Sequence, residues 1–485
     1  MGHVHVTISD ATAARPRAHP HRRRPLYRQI YEHIRTAITT GQLRPGDRVP
    51  STRSLAERFG TARGTIDAAY AILTGEGYLI GRGAGGTVVS AGLDSRAIAG
   101  APSRARLLSP APRPAALAPR SFQMGLPALD AFPRKVWSRL VARHGRGLTP
   151  ADMAYPDPAG YGPLREAIAV YLATSRGVRC TAGQILITNG YQDALNLVAS
   201  VLLQRGDKVW LEDPNYPPTG EALKAARATL VRIRVDAEGL RVSDGLARAR
   251  RAKLAVVTPS HQSPLGVALS LPRRLALLSW ASAGGAWIVE DDYDSEFRYV
   301  GRPLPALKSL DRDERVLYVG TFSKVLYPSL RLGYLVAPES QVARFARFNR
   351  LQHLGSATLE QRVVADFMNA GYFARHLKRM RALYASRRRA LAESLLAVFG
   401  DRIVVDLRPG GMHLIARFGD SVSDVDLAQL AQAGGFSVEA LSRRAATHRC
   451  GQGLLLGFTN IAESDALTTC QRLHHLIRKP LENRA

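Results

Sequence analysis

The alternation of short apolar runs with helix-like stretches constrains the fold of this chain more than any other feature. The runs are rich in aliphatic residues, and stretches of helical period separate them. They occupy residues 184–188, 208–211, 254–258, 287–290 and 316–319. Strands separated by helices build a largely parallel sheet, because parallel neighbours need a crossover between them. Ligands bind at the carboxyl ends of such strands, so we expect an α/β domain with its site among the polar residues that follow these runs.

The N-terminal region has a different pattern, typical of a small helical domain with a β-ribbon. Apolar residues recur at helical spacing from Leu26 to Ile38, and glycines and Pro45 end that stretch. The expected elements are a helix from Leu26, a helix capped by Ser51 and closed by Gly60, a helix over about 62–73, and strands over 78–80 and 87–89. This order predicts a winged helix-turn-helix over residues 25–90. The glycine-rich run 81–86 also fits a dinucleotide-binding pattern, but strand residues follow it where that pattern requires a helix.

Composition limits the partners and the compartment. The chain of 485 residues carries a formal charge of +27, which favours nucleic acid as a partner. Its three cysteines are far apart in sequence, which argues against a disulfide framework or a metal site. No apolar run approaches the ~20 residues of a membrane helix, and we expect a soluble, cytoplasmic protein. The expected divisions are a disordered basic arm (1–24), the winged helix (25–90), an Ala/Pro/Arg linker (91–120) and a large α/β domain (121–485).

Lys324 is the strongest candidate for chemistry. Hydroxyl residues stand one and three positions before it, and Arg331 stands seven positions after it. This segment looks like a pyridoxal-phosphate anchor, in which the lysine amine bonds to the cofactor's aldehyde. Thr321, Ser323 and Arg331 would then hold the phosphate.

Residues 25–90 resemble the GntR-type winged helix. The segment 43–53 and the segment 76–79 carry this resemblance. It implies that six residues face DNA, at the helix N-termini and at the wing tip: Arg53, Arg63, Gly64, Thr65, Arg82 and Gly83. Arginines there can grip phosphates or read guanine. Asp67 stands where some relatives have a basic residue, and we expect it to weaken one phosphate contact.

Residues 121–485 resemble the fold-type I aminotransferases, and the whole chain resembles the MocR/PdxR-type regulators, which join a GntR head to such a body. The resemblance assigns the cofactor's phosphate to the turn at 190–192, its pyridine nitrogen to Asp291, its phenolic oxygen to Tyr293, and its ring face to Tyr216. In the turn, the backbone amides of Gly190, Tyr191 and Gln192 can point at the phosphate. Whether Asp291 or Asp292 meets the nitrogen stays open. Tyr155 matches a tyrosine that crosses to the partner's phosphate in dimers, which implies a homodimer.

Two departures from the aminotransferase pattern bear on activity. Ser263 replaces an asparagine that contacts the ring oxygen, so Gln262 or His261 is a candidate substitute. Leu455 stands where many relatives carry an arginine that clamps the substrate carboxylate. We therefore expect a PLP-binding transcriptional regulator that senses PLP, an amine or an amino acid, with weak or absent transaminase activity. The alternative is an active aminotransferase with a DNA-binding head.

Overall fold

The computed structural model describes residues 25–92, 118–301, 304–353, 355–419 and 422–482. The chain divides into two compact units, residues 1–116 and 117–485. The expected arm at 1–24 and most of the expected linker lie outside the described residues. Within the described ranges, no helix is long and apolar enough to cross a membrane.

The N-terminal unit has the predicted order of elements. Its helices are α1 (Leu26–Thr39), α2 (Thr52–Phe59) and α3 (Arg63–Gly75), and its antiparallel strands are β1 (Leu79–Gly81) and β2 (Thr87–Val89). The Ser51 hydroxyl accepts the Ser54 N–H at 3.1 Å, and Gly60 ends α2 in the left-handed conformation. The predicted cap and stop of α2 are therefore confirmed. Apolar residues of all three helices and both strands bury one core, which includes Ile34, Leu55, Ile66, Leu73 and Val89.

The larger unit is built on an eight-stranded sheet with helices on its faces. The strands are β3 (Ile185–Thr188), β4 (Lys208–Asp213), β5 (Thr229–Asp236), β6 (Gly239–Leu240), β7 (Leu254–Val257), β8 (Trp287–Asp292), β9 (Val316–Thr321) and β10 (Gly333–Val336). Their spatial order is β3-β10-β9-β8-β7-β4-β5-β6. Strands β9, β8, β7, β4 and β5 run parallel, whereas β10 is antiparallel to both of its neighbours.

The predicted strands are all present, but three of them extend two residues further than their apolar runs. Strand β4 reaches Asp213, β8 reaches Asp292, and β9 reaches Thr321. Asp291 and Asp292 pair in register with Val319 and Gly320 of the neighbouring strand, so the backbone ladder continues where the apolar side chains stop. Asp291, Asp292 and Thr321 therefore lie within strands, whereas Tyr216, Tyr293 and Lys324 follow them as expected.

Helices cover the sheet, and a smaller sheet follows it in the chain. The helices are α4 (Arg134–Arg146), α5 (Gly162–Arg176), α6 (Tyr191–Leu202), α7 (Pro217–Ala225), α8 (Val242–Ala249), α9 (Leu271–Gly284), α10 (Val342–His353), α11 (Leu359–Asn369), α12 (Tyr372–Phe399), α13 (Asp424–Ala433) and α14 (Ala466–Glu482). The smaller, antiparallel sheet contains β11 (Val404–Asp406), β12 (His413–Arg417), β13 (Glu439–Ala440) and β14 (Leu454–Gly457) in the order β11-β12-β14-β13. Its side chains share a core with those of the long α12.

Candidate DNA-binding surface and cofactor pocket

The residues expected to meet DNA lie on the surface of the N-terminal unit. Arg53 on α2 and Arg63 on α3 keep 82% and 69% of their side chains exposed. Each faces an acidic residue one turn later, Glu57 at 3.2 Å and Asp67 at 3.7 Å. Exposed pairs of this kind are weak, so both guanidinium groups remain available to phosphates. Gly64 is exposed and Thr65 half-buried in the first turn of α3.

The wing lies between β1 and β2. Arg82 and Gly83 are exposed at its tip. Sequence reasoning missed Arg48, which is also exposed. Its backbone forms an isolated β-bridge with Val88 in the wing. A Cβ added at Gly86 would lie 2.8 Å from the Arg48 guanidinium, so glycine lets this arginine rest on the wing. Arg48 therefore adds a cation beside Arg82.

One edge of the large sheet gathers the phosphate-binding candidates. Thr188, Gly333 and Thr321 are aligned in register across β3, β10 and β9. Gly190 precedes α6 with φ of 95°, and a Cβ there would lie 3.7 Å from the Arg331 guanidinium. The Gln192 side-chain nitrogen is buried in the first turn of α6 without a hydrogen-bond partner among the described residues. A helix N-terminus, an arginine and an unpaired donor thus form a cradle that fits an anion.

The cradle also includes the segment before Lys324. The Thr321 hydroxyl accepts the Ser323 N–H at 3.2 Å, which fixes the turn that leaves β9. Arg331 adopts a left-handed backbone with φ of 49° just before β10. That turn leads the chain back into the sheet beside Gly190. The two ends of the motif around Lys324 are therefore close together in space.

Lys324 is buried beside this cradle. Its Nζ donates a hydrogen bond to the Gly125 carbonyl at 2.9 Å, and a Cβ at Gly125 would lie only 2.4 Å from that nitrogen. Burial lowers the pKa of Lys324, while the Asp294 and Asp291 carboxylates oppose the shift. A lowered pKa leaves more of the amine unprotonated near neutral pH, which is the nucleophilic form.

Asp291 and Asp292 have different environments, although they are adjacent in β8. Arg176 forms a buried ion pair with Asp292 at 2.8 Å. Asp291 forms no ion pair among the described residues, and burial raises its pKa well above the ordinary value, helped by the charges of Asp292 and Glu212. The Tyr191 hydroxyl hydrogen-bonds to Asp291 and lies 2.9 Å from the Thr219 hydroxyl. Asp291 is therefore the carboxyl group that still needs a cation, as a protonated pyridine nitrogen would provide.

Tyr293 lies in a second polar group next to Lys324. Its hydroxyl is 3.0 Å from His261 Nδ1, and Ser263 is close enough to oppose the rise in its pKa. The same His261 nitrogen lies 3.1 Å from an Asp294 carboxylate oxygen. Burial raises the pKa of Tyr293 well above the ordinary value, and the negative charges of Asp294 and Asp291 raise it further. His261 and Ser263 thus act on Tyr293, the residue assigned to the cofactor's phenolic oxygen.

Gln262 is directed away from this group. Its side-chain nitrogen donates to the Pro214 carbonyl at 2.7 Å and to Glu212 at 3.3 Å, and its oxygen accepts the Leu265 N–H. These bonds occupy both ends of the carboxamide. The structure therefore gives Gln262 a role in holding the turn after β4, and it does not bring it to Tyr293.

Tyr216 is the residue expected to cover the cofactor ring. It precedes α7, keeps 41% of its surface exposed, and lies with its ring centroid 6.4 Å from that of Tyr191. The Arg444 guanidinium is 5.9 Å from the Tyr216 ring, and sequence reasoning missed this arginine. Burial raises the pKa of Tyr216, Arg444 opposes the shift, and Asp291 reinforces it. Tyr216 is therefore close enough to both Asp291 and Arg444 to feel their charges.

Two further residues complete the description of the site. Leu455 is fully buried in a small apolar cluster with Val235, Leu265, Ile415 and Leu441, so no charge occupies the expected clamp position. Tyr155 is 86% exposed.

Comparisons with known proteins agree with both units. Residues 26–89 match the model for bacterial regulatory proteins of the gntR family, and residues 129–441 match that for aminotransferase class I and II. The Rhizobium meliloti protein named a probable rhizopine catabolism regulatory protein, MocR, is 39% identical over 90% of both chains. The pyridoxine biosynthesis regulator PdxR of Corynebacterium glutamicum is 32% identical, covering 90% of this chain and 93% of its own.

Solved structures support the fold of the larger unit. Pyrococcus horikoshii kynurenine aminotransferase superposes with a TM-score of 0.67 at 27% identity, covering 74% of this chain and 90% of its own. LysN, the α-aminoadipate aminotransferase of Thermus thermophilus, gives 0.68 at 27% identity, covering 75% and 93%. A winged helix-turn-helix joined to an aminotransferase-like body defines a DNA-binding transcriptional regulator. The chain belongs to the MocR/PdxR-type regulators of the GntR family.

Proposed function

We propose that the larger unit binds pyridoxal 5'-phosphate at Lys324 and senses PLP itself, an amine or an amino acid, and that this binding controls the affinity of the winged helix for operator DNA. One observation supports the cofactor most strongly: a buried lysine, an anion cradle and a carboxyl group without a cation lie at one edge of the sheet. These are the groups that an aldehyde, a phosphate and a pyridine nitrogen require.

Each residue has a distinct part in holding the cofactor. Lys324 supplies the amine, while Arg331, Thr321, Ser323 and the amides of residues 190–192 hold the phosphate. Asp291 keeps a proton on the ring nitrogen, Tyr293 donates to the phenolic oxygen, and Tyr216 covers the ring. When bound, the cofactor supplies an aldehyde that reacts with amines and a chromophore that absorbs visible light.

An active aminotransferase is the competing function. Leu455 disfavours it, because the apolar cluster around Leu455 offers no charge-assisted contact to an α-carboxylate. Such a contact contributes roughly 1.5–3 kcal/mol. Transamination of ordinary amino acids should therefore be slow or absent, and turnover at about 1 s⁻¹ or more would refute the regulator-only proposal.

The proposal extends to assembly and location. The exposed Tyr155 supports a homodimer, in which it would reach the cofactor phosphate of a second copy. A regulator that binds operator DNA acts in the cytoplasm of a bacterial cell, where we place this chain. Six residues of the N-terminal unit would meet the operator: Arg53, Arg63, Gly64, Thr65, Arg82 and Gly83.

Borohydride trapping tests the cofactor assignment. The purified protein should absorb visible light, and reduction followed by peptide mapping should place a stable adduct on Lys324. Lys308 provides an internal control, because burial also lowers its pKa although its Nζ donates to the Val316 carbonyl outside the pocket. Lys324→Ala should abolish the adduct and leave the protein folded. An adduct on Lys308, or one that persists in Lys324→Ala, would show that the anchor is wrong.

A further inference from the structure

An ion pair lies next to Tyr216. Arg444 pairs with Glu439, and 10% of the arginine side chain and 40% of the glutamate side chain are exposed. The Arg444 guanidinium donates a hydrogen bond to Glu439 and lies next to the Tyr216 ring. Any molecule that reaches the ring face of Tyr216 from solvent therefore meets these two charges.

The position of Arg444 is fixed by the strand that leads to Tyr216. Asp213, at the end of β4, accepts hydrogen bonds from the backbone N–H groups of Ala446, Thr447 and His448. The Asn215 N–H donates to the Arg444 carbonyl at 3.2 Å. These hydrogen bonds join the segment after Arg444 to the segment before Tyr216. They therefore hold the ion pair in place next to Tyr216.

Glu439 is also the neighbour of Leu455, the residue expected at the position of the usual clamp. It is the residue directly opposite Leu455 in the antiparallel pairing of β13 and β14. Leu455 is fully buried and Glu439 is partly exposed. Of these two paired residues only Glu439 carries a charge, and that charge is negative.

We propose that the Glu439–Arg444 pair is the effector-selecting element of this pocket, and that it admits primary amines without a carboxylate and disfavours α-amino acids. This inference rests on the proposed function, since it places the effector in the PLP pocket.

Charge balance is the physical reason. Arg444 is the cation beside Tyr216, and Glu439 already neutralises it. A ligand carboxylate must displace Glu439 from a largely buried guanidinium, which leaves the glutamate without its partner. It must also approach the negative charge of Glu439 itself. An amine without a carboxylate leaves the pair intact and, as an ammonium ion in solution, is attracted to the exposed part of Glu439.

Matched ligand pairs test this proposal. We would measure the dissociation constants of alanine and ethylamine, valine and isobutylamine, and phenylalanine and 2-phenylethylamine by calorimetry on the cofactor-loaded protein. Within each pair only the carboxylate differs. The ratio of the amino-acid constant to the amine constant should be at least about tenfold in the wild-type protein. It should fall by about tenfold in Glu439→Gln, which frees Arg444 to bind the carboxylate.

Further variants assign the effect to the pair. Adding Arg444→Gln to Glu439→Gln should restore the wild-type ratio, because the freed cation is gone. Glu463→Gln, which neutralises an exposed carboxylate outside the pocket, should change nothing. If Glu439→Gln does not take up cofactor, Arg444→Gln alone supplies the test, since an uncompensated Glu439 should raise the ratio. Each ratio is taken within one preparation, so partial unfolding does not change it.

The outcomes separate the two proposals. Cofactor loading is measured first, by the borohydride adduct, and its absence would refute the proposed function. A loaded protein that binds both members of each pair equally, that binds neither, or whose ratio is unchanged in Glu439→Gln would overturn the role of the ion pair and leave the cofactor assignment intact.

Discussion

Removing the charge of Asp67 should strengthen binding to operator DNA. Asp67 lies one turn after Arg63 on α3, at 3.7 Å from its Nε, and half of its side chain is exposed. In this position it partly neutralises Arg63 and repels the phosphates that Arg63 would contact. Asp67→Asn keeps the shape of the side chain and removes both effects.

The size of the effect follows from the geometry. Two unit charges about 4 Å apart interact by about 1 kcal/mol in water, and exposed ion pairs contribute about 0.2–1 kcal/mol. The variant should therefore bind DNA about two- to fivefold more tightly at low salt. If the freed Arg63 neutralises one more phosphate, the salt dependence should steepen by up to about 0.9 in the slope of log K against log salt.

Gel-shift or anisotropy titrations at several salt concentrations would measure both quantities. Arg63→Ala should weaken binding, and the Asp67→Asn gain should be smaller in the Arg63→Ala background, because only the direct repulsion between Asp67 and the phosphates is left to remove there. Glu393→Gln, the same charge change on the exposed face of α12, is the control for net charge. Equal affinities of wild type and Asp67→Asn at every salt concentration would refute this account of the α3 surface.

Three other changes test the large unit. Arg331→Gln should weaken cofactor binding at least tenfold, as measured by dialysis, yet still give the Lys324 adduct at high PLP, because a charge-assisted phosphate contact is lost and the amine is kept. Asp213→Asn should lower the free energy of unfolding by about 2–4 kcal/mol in urea, because the carboxylate accepts several hydrogen bonds; a loss within 0.5 kcal/mol would contradict this. Burial raises the pKa of Glu212 to about 7, above its ordinary 4.5. A raised carboxyl pKa contributes stability at low pH that declines between about pH 4.5 and 7, so Glu212→Gln should flatten that decline in unfolding experiments; an unchanged pH profile would show that Glu212 does not titrate there.

Local sequence patterns predicted the winged helix and five strands of the large sheet, but they did not predict β5, β6, β10 or the smaller sheet. Helical spacing, the Ser51 cap and the Gly60 stop predicted the N-terminal helices, since these signals act over a few residues. The alternation of apolar runs and helices predicted the parallel part of the large sheet. Strand ends were less predictable from local patterns. Asp291 and Asp292 stay in the ladder because they pair with β9, which lies outside the local sequence around them.

Contacts between distant segments account for what sequence reasoning missed. Nothing near Arg444 in the sequence indicates that it faces Tyr216, because the bonds of Asp213 to residues 446–448 bring them together. The choice among His261, Gln262 and Ser263 likewise depended on tertiary contacts, which direct Gln262 to Glu212 and Pro214. The assignments of the cofactor and DNA contacts to individual residues stay predictions, as does the role of Tyr155.

The position of β10 has a consequence for synthesis of the protein. The core of the N-terminal unit is complete once Val89 has been made, because all of its members precede that residue or include it. The phosphate cradle, in contrast, cannot close until Gly333 enters the sheet between β3 and β9. A nascent or truncated chain that ends between these points carries a complete winged helix and no phosphate cradle. Under the proposed function, such a chain would occupy operators without responding to the effector.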